Sequence, residues 1–140
     1  MRRRGSRGAV AIETALLVPV FVLVAAMATA GWRVWWASAQ VQAAAESGAR
    51  VASQAVDVNL ARSRVSDVVS ADLATAGLHC NDIKLTNDLA AVALPAGVPG
   101  TVGVGVTCSV GLSDLLIPGL PGSITVHGQA NEAIDVFRGR

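Results

Sequence analysis

Three hydrophobic rhythms succeed one another along the chain. From Ala9 to Trp32 apolar residues run almost unbroken, interrupted by Glu13 and punctuated by Pro19. From Ala37 to about Ala76 a helical spacing takes over: Val41, Ala44, Gly48, Val51, Ala55 and Val58 recur at steps of three and four, and Val65 and Val69 resume the series. Gln40, Gln42, Glu46, Arg50, Asp57, Arg64, Asp67 and Asp72 lie mostly off that stripe. The stripe falters near Asn59 and Arg62, where a bend or helix break is expected, and Gly77 supplies a natural stop. Beyond it the period drops to two. Val102, Val104, Val106, Cys108 and Val110 alternate with Gly, Gly, Thr and Ser, which describes a half-buried strand with an unusually bare outer face. Ile83 with Leu85, and Ile124 with Val126, repeat the alternation, and Pro95–Gly100 and Pro118–Gly122 read as turns or loops.

These rhythms predict an α+β chain: a long N-terminal helix, then a small, mainly antiparallel sheet of about three strands. The first part of the helix is apolar on all sides and the second is amphipathic. The Ala9–Trp32 run of about 24 residues would be roughly 36 Å long as a helix, enough to cross a hydrocarbon core of about 30 Å with some tilt. Arg2, Arg3, Arg4 and Arg7 precede it, so the positive-inside rule keeps the N-terminus in the cytoplasm and exports the chain beyond Trp32. Trp32, Trp35 and Trp36 are the only tryptophans, and they would stand at the outer interface. Pro19 removes a backbone donor within the run, a defect that neighbouring helices absorb in membranes as a kink or local softening.

Composition strengthens this reading. The chain of 140 residues is 52% hydrophobic and 15% charged, against about 25% charged residues in ordinary soluble domains. Nucleic-acid binding is excluded: basic groups form no stripe beyond the N-terminus, and aromatic residues are too few to stack bases. On the exported side the two cysteines, Cys80 and Cys108, are best read as a disulfide. Closing a loop of about 29 residues contributes roughly 3 to 4 kcal/mol in the chain-entropy model, and a sheet this small needs such a staple.

Other chemistry finds no support. His79, His127 and the cysteines match no zinc spacing, so no metal or other cofactor is expected. Gly103-Val-Gly105 alternates along a strand instead of forming a strand-to-helix turn, and no nucleophile elbow or paired carboxylate motif is present. The expectation is a protein that is not an enzyme and takes no small-molecule substrate. A basic start, an apolar core and Ala28-Thr29-Ala30 also fit a secretory signal cut after Ala30, which would release a small disulfide-stapled binding module. Against that stand the length of the run, the helix continuing past the site, and Glu13 within the apolar core.

Glu13 is the costliest residue of the segment. A carboxylate at the centre of a membrane helix costs roughly 2.5 to 3.5 kcal/mol on insertion scales. If the chain were cut after Gly8, Glu13 would be the fifth mature residue, one helical turn from a new α-amino group at Ala9. That arrangement suits a subunit that assembles with others in a membrane.

The segment Arg7-Gly-Ala-Val-Ala-Ile-Glu13-Thr-Ala-Leu-Leu-Val-Pro19, continued loosely through Gln42-Ala-Ala-Ala-Glu-Ser-Gly-Ala-Arg50, resembles the TadE-like family. Those are minor pseudopilins of the tight-adherence (Tad/Flp) branch of type IV pili. The C-terminal Ala133-Ile-Asp-Val-Phe-Arg138 looks like the closing strand of some members. The resemblance implies a basic leader over residues 1–8, an assembly helix over 9–32, an exported helical continuation over 33–79 and a β-rich head over 80–140. It implies cleavage between Gly8 and Ala9 by a prepilin peptidase. It further implies a single-pass protein of the cytoplasmic membrane that works with other pilin subunits and the Tad machinery, through Glu13, Pro19 and the helix around them. Ala9 departs from the phenylalanine common at the first mature position, and Thr14 from the tyrosine usual in short major pilins. The large exported part marks a minor subunit.

Overall fold

The computed structural model describes residues 6–95, 97–115 and 121–134, with side chains described from Glu13 onward except at 114 and 115. The leader residues 1–5, part of the Pro118–Gly122 turn and residues 135–138 of the suggested closing strand lie outside them.

Helix α1 spans Ser6–Ser53, 48 residues, with Pro19 inside it. The helix runs on through the proline, whose missing N–H leaves only the Ala15 carbonyl without its usual helical partner. The break in the helical region falls at residues 54–57, earlier than the sequence suggested. Asn59 and Arg62 lie inside the second helix, α2, Val58–Thr75. Asp57 sets this boundary: its carboxylate accepts hydrogen bonds from the N–H groups of Asn59 and Leu60, both at 3.0 Å. One long helix is therefore replaced by two, with α2 folded back along the upper part of α1. Gly77 closes α2 as expected: its φ is +70°, and the Leu78 N–H reaches back to the Leu73 carbonyl at 3.0 Å.

Strands β1 (Cys80–Asp88), β2 (Thr101–Gly111) and β3 (Ser123–Ala133) form an antiparallel sheet in the order β1-β2-β3. A 3-10 turn at Ala90–Ala93 follows β1, and a four-residue helix, α3 (Leu112–Leu115), follows β2. The predicted alternation of β2 holds along its length: Val102, Val104, Val106, Cys108 and Val110 are all buried. The outer face is less bare than the sequence implied. Asp88 and Asn131 pair across Gly103, and Thr86 and Gln129 across Gly105. A Cβ on Gly103 would lie 2.7 Å from Asn131 Oδ1, so the flanking side chains occupy the space the glycines leave.

The core lies between the inner sheet face, the upper half of α1, and α2. It is built from small residues. Gly48 sits where all three meet: a Cβ there would lie 3.1 Å from Val69 Cγ2 and 3.3 Å from Val104 Cγ1. Gly128 permits a closer approach still, since its Cβ would stand 2.5 Å from the Val41 carbonyl oxygen and 2.8 Å from Gln42 Cα. Here β3 touches the helix backbone itself. Cys80 and Cys108 form the predicted disulfide, with Cα atoms 5.4 Å apart, and tie the first residue of β1 to the central strand.

Candidate functional site

The assembly residues sit on the lower half of α1. Every residue from Glu13 to Thr29 is exposed, including large side chains such as Leu16 at 68% and Phe21 at 71%. An 18-residue window of this helix has a mean hydropathy of 2.1, and 0% of it is buried. A core helix of a soluble domain would be covered by its own protein; here that cover is missing over a length able to cross a membrane.

The helix fixes the relations among the predicted site residues. Ala9 and Glu13 are four apart, so they share a face about 6 Å apart along the axis. Gly8 and Ala9 both lie within the first turns of α1. Pro19 is not brought to Glu13: six residues place it about 9 Å further along and roughly 240° around the helix. Glu13 is exposed and has no ion-pair partner among the described residues. The Lys84–Asp82 ion pair, at 3.9 Å, lies on the highly exposed surface of β1, where such pairs contribute little.

The upper half of α1 binds its own head. Beyond the apolar packing, Gln42 makes a polar clamp that sequence reasoning missed. Its Nε2 donates to the Gln129 carbonyl at 3.0 Å, and its Oε1 accepts from the Gln129 N–H at 3.0 Å. The same Nε2 lies 3.0 Å from Glu46 Oε1. Only a glutamine just off the apolar stripe hints at this, and several glutamines share that position. The two histidines are apart: His79 follows α2, while His127 on β3 has its Nδ1 3.1 Å from Thr107 Oγ1. Among the described residues, His, Cys, Asp and Glu form no group of three or more placed to hold a metal ion.

One candidate membrane-spanning helix, rooted in a small disulfide-stapled α+β head, is consistent with a single-pass membrane protein. Residues 8–50 match the model of the TadE-like protein family, so over that segment the chain is similar to it. The match covers Gly8, Ala9, Glu13, Pro19 and the Gln42 clamp residue, and ends three residues before α1 does. No curated protein and no solved structure matches the chain.

Proposed function

We propose that this chain is a membrane-anchored minor pseudopilin that takes part in assembling a tight-adherence type IV pilus. The observation that carries the reading is the lower half of α1: wholly exposed, apolar, bearing one carboxylate, and lying within the family match. In this reading a prepilin peptidase cuts between Gly8 and Ala9. Glu13 then pairs with the freed amino terminus of a neighbouring subunit. Two charges that would each be costly in an apolar environment neutralise each other, and a slip of one turn would leave both unpaired. Its partners are other pilin subunits, the Tad machinery, the peptidase and lipid; it acts by assembly and not by catalysis.

The continuity of α1 supports anchoring over release. A cut after Ala30 would sever an unbroken helix seven residues before its first fully buried residue, Ala37. N-terminal sequencing of the membrane-associated protein is expected to begin at Ala9; Gly31 on a soluble product would establish the secreted alternative. Glu13→Leu is expected to leave the protein in the membrane fraction at normal abundance while abolishing pili seen by electron microscopy. Normal pili in that variant would refute the role given to Glu13.

A further inference from the structure

The join between the apolar helix and the head contains no linker. Ala30 and Val34 are the first half-buried residues of α1, and Ala37 is already fully buried. The head therefore begins to pack on the helix within the run that ends at Trp32.

The sheet shows which part of the head stands there. Gly128 touches α1 at Val41, and Gly48 touches Val104, which pairs with Ala130. Higher residues on α1 thus meet higher residues on β3, so the two run in the same general sense. From Gly128 back to Ser123, β3 descends about 17 Å at roughly 3.3 Å per residue. On α1 the same descent from Val41 is about 11 residues at 1.5 Å each, which ends at Ala30. A crossing angle between helix and strand shortens the descent and brings the end point nearer Val34. The β2–β3 corner is therefore level with the tryptophans, and contact between α3 and α1 agrees with that placement.

At this corner Leu112 is half-buried and Ser113 exposed, and the Leu112 N–H is bonded to the Gly122 carbonyl at 3.0 Å. Trp32 and Trp35, 64% and 63% exposed, lie at the same height with ring centroids 5.5 Å apart. Indoles favour the boundary between headgroups and acyl chains. We infer that the head is seated directly on the bilayer, with the Leu112–Ser113 corner of the β2–β3 connection in the lipid headgroup layer beside Trp32 and Trp35. The occupant of this surface is lipid, because Leu112 and Ser113 stand level with the outer end of the exposed apolar run of α1 and with its exposed tryptophans. The opposite pole, where Val56 is 65% exposed at the α1–α2 turn, stands about 25 Å further out, since α1 continues from Trp36 to Ser53 before that turn.

The inference rests on membrane anchoring by α1 and is independent of the pilus role. Its test uses the full chain, with the disulfide formed, in vesicles of phosphatidylethanolamine and phosphatidylglycerol. A fluorophore is attached separately through Ser113→Cys, Val56→Cys and Val22→Cys, all at exposed positions. Lipids carrying a nitroxide near the headgroup should remove most of the Ser113 emission and leave Val56 unchanged, while aqueous iodide should do the reverse. If Val22 is shielded from iodide but Ser113 behaves like Val56, the seating is refuted and the anchor stands. If Val22 is also open to iodide, α1 does not enter the bilayer, and both readings fall.

Discussion

The two halves of α1 use opposite residues for opposite ends. From Glu13 to Thr29 the helix carries Leu, Val, Phe and Met side chains and exposes all of them. From Ala37 to Ala52 its buried positions are Ala and Gly with Val41 as the one larger exception. Side-chain size thus runs against burial within this helix. The reason lies in what surrounds each half. The upper half must fit between a sheet and a second helix whose valines already fill the space, so its own side chains are pared down. The lower half is left uncovered, so its bulk is exposed, and under the proposed anchoring it is available to lipid and to neighbouring subunits.

That contrast can be broken at defined points. Replacing the disulfide by Cys80→Ser with Cys108→Ser should have the largest effect, lowering the stability of the upper region by about 3 to 4 kcal/mol. Denaturant titration in detergent measures it, and an unchanged midpoint would show that packing on α1 and α2 alone sustains the sheet. A paired enlargement tests the comparison itself. Gly48→Leu should destabilise the head by about 1 to 3 kcal/mol through overpacking against Val69 and Val104. Ala26→Leu, on the exposed lower half, should stay within about 0.5 kcal/mol in the same titration. Equal losses would mean that both halves are packed from within the chain. Among the destabilising changes the smallest loss, about 1 kcal/mol, is expected for Asp57→Ala, which removes the cap of α2 and leaves the lower half untouched.

Local patterns carried most of the fold. Val102 to Val110 specified a strand because their burial follows directly from a period of two, and Gly77 marked a helix end because few other residues adopt its backbone conformation. The α1–α2 break was harder to place. The apolar stripe runs from Ala55 through Val58 almost without a fault, and periodicity gave no reason to stop there. Asp57 was the usable signal, a capping residue three positions before Leu60, but it reads equally well as one more polar residue on an exposed face. Helix fold-back was illegible for a further reason: Val65 and Val69 suit contact with the sheet or with α1 equally, and only their meeting at Gly48 distinguishes the two. At the site, the Gly8–Glu13 spacing was visible in the sequence, whereas the Gln42 clamp depends on a strand 87 positions away.

That clamp also governs how copies of this protein can meet. A small sheet with an open margin invites another strand to extend it, which is a route to uncontrolled polymerisation. Gln42 offers Gln129 the same donor and acceptor that a neighbouring peptide would, and so takes the place of an incoming strand on that side. The opposite margin, β1, presents Lys84 and Asp82 to solvent, charges that discourage pairing. With both margins of the sheet guarded, strand addition is disfavoured at either edge, which under the proposed assembly role leaves the uncovered apolar helix as the surface for association.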